Sequence, residues 1–146
     1  MADACKFEGE TDMAQPKKIF VICPVRNAEP DIQEKISEYV ANLEAEGHEV
    51  YWPARDTEQQ DPTGGLQICR ANFREIMEAN EIHIWYDETS GGSKFDLGGV
   101  FMLVEMLRWH KRIVIINEKE AAEKDRGLPK SHFQVSQYLV RKTCKN

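Results

Sequence analysis

The chain has 146 residues, enough for one domain with a sizeable core, and carries a formal net charge of −6. With 41% hydrophobic and 30% charged residues it has the composition of an ordinary globular protein. The acidic balance argues against nucleic acid as a partner, because a duplex is held by a broad basic footprint, but it leaves room for a small phosphate in one local pocket.

Residues 1–16 are polar, acidic and without periodicity, which predicts a flexible tail ending near Pro16. They hold no apolar secretory core, and no stretch offers the roughly 18 uninterrupted apolar residues of a membrane span. The four cysteines (Cys5, Cys23, Cys69, Cys144) show neither CxxC nor Cys/His spacing. These features predict a cytoplasmic protein with no membrane partner and no metal, in which Cys23 and Cys69 are buried thiols.

From residue 17 onward, one domain reads as alternating strands and helices. Lys18–Cys23 is a short continuous apolar run, the mark of a strand buried on both faces, and Pro24 stops it. Pro30 and Asp31 suit a helix start, Ile32, Ile36, Tyr39, Val40 and Leu43 recur at helical spacing, and Gly47 marks the stop. His48–Trp52 is a second strand closed by Pro53, and a long polar loop runs from Ala54 to Gly65. A second helix puts Leu66, Cys69, Phe73, Ile76 and Met77 on one stripe.

Glu81–Tyr86 is the third strand. A small-residue loop, Thr89-Ser90-Gly91-Gly92-Ser93, separates it from a helix over about Phe95–His110 that is apolar almost all round, as expected of a helix covered on several sides. Gly98 and Gly99 in it would permit close approach of a neighbouring backbone. Arg112–Ile116 is the fourth strand, residues 118–130 read as charged and exposed, and a last helix runs from Ser131 to about Lys142. The alternation predicts a flavodoxin/Rossmann-like three-layer sandwich around a parallel sheet of four or five strands. The expected order is 2-1-3-4, with room for a short fifth strand near the C-terminus.

In such a sheet ligands bind at the carboxyl ends of the strands, by the switch point between strands 1 and 3. The loops there carry Arg26 and Ser90-Gly91-Gly92-Ser93, and Asp96 falls in the first turn of the next helix. Backbone N–H groups at such a helix start can face an anion. Taken singly, each part has a plainer reading: a turn, a solvated arginine, an acid stabilising a helix dipole, aromatics in the core. The motif is neither a Walker A loop nor GxGxxG.

These residues resemble the nucleoside 2-deoxyribosyltransferase superfamily, including its branch of deoxynucleoside 5′-monophosphate N-glycosidases. The resemblance spans roughly Lys17 to Asn117. It is carried by Ser90-x-Gly92-x-x-Phe95-Asp96-Leu97-Gly98, by the first strand with Arg26, and by Ile68–Asn80. It implies retaining glycosyl chemistry on a nucleoside or nucleoside monophosphate, in which a carboxylate attacks the anomeric carbon of the 2-deoxyribose and expels the base. Asp96 would be that nucleophile, and Asn72 stands where the family has an aspartate handling the base. Ser90, Gly92 and Arg26 would hold the 5′-phosphate. Phe20 would line the substrate site, Trp85, Tyr86 or Trp52 would flank the base, and Asp87 or Glu88 nearby could supply a substitute acid. No cofactor is implied, and the family's assemblies imply a homodimer or larger homo-oligomer.

Four positions depart from the family pattern. Asp96 is a methylene shorter than the family glutamate, a shortfall on the order of 1.5 Å. Asn72 replaces an acid, Phe20 replaces a tyrosine, and Pro24 replaces a phosphate-binding serine. These leave two alternatives open beside the enzyme: a nucleotide-binding or sensor module with impaired catalysis, and an interaction domain on the same scaffold.

Overall fold

The computed structural model describes residues 15–125 and 131–144. Most of the expected tail, and the end of the charged stretch before the last helix, lie outside them. Four parallel strands form one sheet in the order 2-1-3-4: β1 (Lys18–Ile22), β2 (Glu49–Tyr51), β3 (Glu81–Ile84) and β4 (Arg112–Ile115). This is the flavodoxin/Rossmann-like sandwich. α1 (Pro30–Ala45) covers one face, meeting Ile19, Val21 and Val50 with Ile36 and Val40. α3 (Leu66–Glu78), α4 (Gly91–Met106) and α6 (His132–Thr143) cover the other, where Phe20, Ile22, Ile82, Ile84 and Ile113 meet Ile76, Leu97, Val100 and Leu139. β1 and β3 are central and buried on both faces, which is why they read as unbroken apolar runs.

Two short helices add to the expected elements, one at the start of the expected polar loop and one in the stretch read as charged and exposed. α2 (Pro53–Asp56) is a single turn, held by Asp56 Oδ2 accepting from the Trp52 N–H at 2.8 Å. α5 (Glu118–Lys124) is built of strong helix formers, with Glu118 and Glu120 in its first turn and Lys124 in its last, matching the dipole. Among the described residues there is no fifth strand: after β4 the chain continues as α5 and then α6.

α4 also differs from expectation. It starts at Gly91, so the glycines and Ser93 form its first turn, and it stops at Met106. It is not covered on several sides: Phe95, Met102, Met106 and the following Leu107 are all exposed. In α3, Leu66 and Met77 are exposed as well, while Asn72 and Ile76 point inward.

At the amino ends of the strands sits a buried ionic cluster. Glu81 accepts from Lys17 Nζ at 2.6 Å, lies 2.8 Å from His83 Nε2 and is 3.7 Å from Arg112. His83 Nδ1 in turn lies 2.6 Å from the Tyr39 hydroxyl on α1. Burial pushes the Glu81 carboxyl up, but the hydrogen bonds from His83 and Lys17 outweigh it and hold the group down at about 2. The cluster ties β3 to α1, to β4 and to the chain entering β1. No helix among the described residues is long and apolar enough to cross a membrane.

Gly98 and Gly99 have different surroundings. A Cβ at Gly99 would overlap the Phe73 ring, so that glycine admits a side chain of α3 rather than a backbone; a Cβ at Gly98 would meet open space. Both gain helix propensity on replacement by alanine, so the pair isolates packing. Gly98→Ala is expected to raise stability by up to about 1 kcal/mol. Gly99→Ala is expected to lower it by about 1–3 kcal/mol, because the ring must move. Urea unfolding of the two variants checks this, and equal midpoints would contradict it.

Candidate functional site

The carboxyl ends of β1, β2 and β3 open into a cavity of about 350 Å³. That lies within the roughly 300–1,000 Å³ of small-molecule sites. Its rim and walls come from three connections. After β1, Cys23, Val25, Arg26 and Asn27 line it. Asn27 sits at φ 58°, a left-handed turn that asparagine tolerates, and it bends the chain directly after Arg26. After β2, Pro53, Gln59, Gly64 and Gly65 close one side, and α3 contributes Ile68, Cys69 and Asn72. After β3 come Ser90, Gly91 and Gly92, then Phe95 and Asp96 from α4.

Ser90 is the N-cap of α4. Its Oγ accepts from the Ser93 N–H at 3.2 Å and donates to Ser93 Oγ at 2.8 Å, so its proton is already engaged. The N–H groups of Gly91 and Gly92 are the first two of the helix, which no carbonyl of the helix can satisfy. Gly91 and Gly92 line the same cavity as the exposed Arg26, which has no ion-pair partner among the described residues. The rim is therefore a place of N–H donors and positive charge.

Deeper in, Asn72 and Asp96 are each 8% exposed. Asn72 Oδ1 accepts from Thr57 Oγ1 at 2.8 Å, and the Tyr51 hydroxyl lies 2.8 Å from that Oγ1. The relay fixes the amide with its NH₂ free. Asp96 differs: it makes no hydrogen bond or salt bridge to any described residue, and burial alone pushes its carboxyl up to about 7. Starting α4 at Gly91 makes Asp96 the sixth helical residue, beyond the first turn, where the helix terminus would have favoured the anion. Beside it the Cys23 thiol is pushed up to about 12, again by burial.

Compared with protein-family models, curated proteins and solved structures, the chain matches none.

Of the sequence-stretch candidates, Arg26, Asn72, Ser90, Gly92 and Asp96 come together in this one cavity. Phe20 does not: it is fully buried in the sheet, its ring stacked on Tyr51 at 5.6 Å. Trp85, Tyr86 and Asp87 line a separate cavity of about 170 Å³, with Asn117, Glu120 and Lys124, on the other side of the β3–α4 connection. There Tyr86 donates to Glu88 and packs against Phe133, and Asp87 Oδ1 accepts from the Thr89 N–H at 2.8 Å. Sequence reasoning missed Cys23, Gln59, Ile68, Cys69 and Phe95 as lining residues. Only Phe95, an aromatic directly before the candidate acid, offered a signal. Among the described residues no cluster of His, Cys, Asp or Glu could hold a metal ion.

A buried acid without a partner has a signature in stability. The folded state keeps a proton that the unfolded chain releases near pH 4, so stability falls as pH rises from about 4 to about 7 and is level beyond. The full cost is up to about 4 kcal/mol. Asp96→Asn cannot ionise and removes that slope, while every other titrating group is shared. The variant's advantage over the parent in urea unfolding should widen from pH 4 to pH 8, and parallel profiles would refute the assignment.

Proposed function

We propose that the cavity binds a 2′-deoxynucleoside 5′-monophosphate and that Asp96 attacks its anomeric carbon, making the protein a nucleoside 2-deoxyribosyltransferase-like N-glycosidase or transferase. One observation carries the reading: Asp96 is a buried carboxyl without a partner, in the same cavity as an N–H-rich, cationic rim. A carboxyl set into a cavity wall with its ionisation disfavoured by burial is a candidate functional group. The phosphate would meet the Gly91 and Gly92 N–H groups and Arg26, with Ser90 holding their turn in shape rather than donating. Phe95 and Ile68 offer apolar surface to the base. Trp85, Tyr86 and Asp87, in the neighbouring cavity, have no role in this arrangement. The covalent glycosyl ester would then pass to water or to another base.

A second reading, a nucleotide sensor with impaired catalysis, is favoured by the same acid. A carboxyl that is half protonated at about pH 7 is a weak nucleophile there. That reading expects thermal stabilisation by nucleotides with no release of base.

The resemblance further supports a homo-oligomer. The exposed Phe95, Met102, Met106 and Leu107 on and after α4 give a second copy an apolar face to cover, with Phe95 on the rim of the cavity. Light scattering should report a mass at least twice that of the chain, and Met106→Glu should lower it; a monomer in the parent protein would end this proposal.

Incubation with a panel of deoxynucleoside monophosphates should release free base, read by chromatography. Asp96→Ala should lose at least about 1,000-fold in rate. Arg26→Ala should raise KM for the monophosphates roughly tenfold while leaving unphosphorylated nucleosides unchanged. Full activity in Asp96→Ala would sink the mechanism.

A further inference from the structure

Retaining cleavage of a glycosidic bond ordinarily uses two carboxyl groups, one to attack and one to protonate the leaving group. Among the described residues that line the cavity, Asp96 carries the only carboxyl and there is no imidazole. A single carboxylate cannot attack and protonate in the same step. Asn72 lines the same cavity, with its oxygen occupied by Thr57 and its NH₂ left to donate to a bound base. An amide N–H donates a hydrogen bond but does not transfer its proton. Gln59, the other amide, is turned away: its Nε2 donates to the Pro53 and Thr57 carbonyls, each at 3.0 Å.

We propose that this site breaks the N-glycosidic bond without a general acid, the base leaving as an anion steadied by the Asn72 N–H, and that it therefore serves deoxynucleotides whose base is an acidic nitrogen heterocycle. This rests on the nucleotide reading of the same cavity. In the first step an Asp96 carboxylate oxygen forms an ester bond to C1′, and the electron pair of the C1′–N bond departs on the base nitrogen. The base anion takes a proton from water after it leaves. In the second step water attacks C1′, returning the Asp96 carboxylate and releasing one proton, which balances the hydroxide formed in the first. Thr57 acts as a positioning residue, since it sets which edge of the Asn72 amide faces the ligand.

The test uses the full chain and deoxyuridine monophosphates with 5-fluoro, unsubstituted and 5-methyl bases, a series of falling base acidity at nearly constant shape. Base release is followed at slightly acidic pH, where the substrates share one ionisation state. The rate is expected to rise on the order of tenfold per unit of base acidity. In Asn72→Asp, which supplies an acid, that dependence should flatten, and the 5-methyl substrate should gain most. For the parent protein the pH profile with the 5-methyl substrate should show one rising limb, near pH 7, and no falling limb up to about pH 8. Base release with equal rates across the series, or a falling limb in the parent protein's pH profile below about pH 8, would overturn the inference while leaving the nucleotide reading intact. No base released from any substrate would remove that reading and this inference with it.

Discussion

Parallel pairing of Phe20 with Ile82 and of Ile22 with Ile84 puts β1 beside β3, although β2 lies between them in the chain. β2 can then pair only on the far side of β1, so the chain leaves β1 toward one face and leaves β3 toward the other. The two connections diverge over the carboxyl ends of neighbouring strands, and the space between them is the cavity. Nothing in the loops needs to be special for a crevice to form there; the strand order makes it. The loops decide only what the crevice can hold. Here they give it N–H donors and an arginine at the mouth, and an unpaired acid with an oriented amide further in.

The sheet's two ends handle a buried acid in opposite ways. Glu81, at the amino ends, is surrounded by Lys17, His83 and Arg112, so its charge is favoured in spite of burial. Asp96, at the carboxyl ends, has burial without compensation, and its charge is disfavoured. The first arrangement adds to stability at neutral pH and ties four elements together. The second subtracts from it, because no described residue compensates the burial. Both side chains are buried, and what separates them is that donors and cations surround Glu81 while Asp96 has burial alone.

Strand positions and their order were legible because a parallel sheet covered on both faces leaves continuous apolar runs, and because Pro24, Pro53 and Gly47 punctuate them. The start of α4 was not. Glycine has low helix propensity, so Gly91-Gly92 reads as loop; the Ser90 cap and its reciprocal bond with Ser93 supply what propensity lacks. The covering of α4 was misread for a related reason: an apolar sequence states what could be buried, while the strand order and the place of α6 decide how much is. Of the candidate positions, Arg26 and Asp96 were picked from pattern and Asn72 from the resemblance, and the three line one cavity. The aromatics do not: just past the end of β3, Trp85 packs with the α1-side core and both Trp85 and Tyr86 line the neighbouring cavity, away from the space that Asp96 lines. Asn72's orientation, set by Thr57 from a loop of no recognisable pattern, had no sequence signal at all.

The earlier start of α4 bears directly on the shorter acid. From Gly91 to Asp96 the helix rises about 7.5 Å. On the nucleotide reading, the phosphate sits at the first two N–H groups and the anomeric carbon lies beside the sixth residue, a separation comparable to that within a deoxynucleotide. The side chain of a helical residue also leans toward the helix N-terminus, so a short acid at that position still points back along the bound sugar. A longer acid would gain reach; the aspartate gains closeness of the helix backbone to the ligand, which the small Gly91 and Gly92 side of α4 permits. What the aspartate gives up is stabilisation of its charge, since it lies past the turn where the helix terminus would help and has no donor of its own. On that reading, the placement that would bring Asp96 to the sugar also leaves its ionisation without help from the protein, and with a single carboxyl among the described lining residues the acidity of the departing base would set turnover.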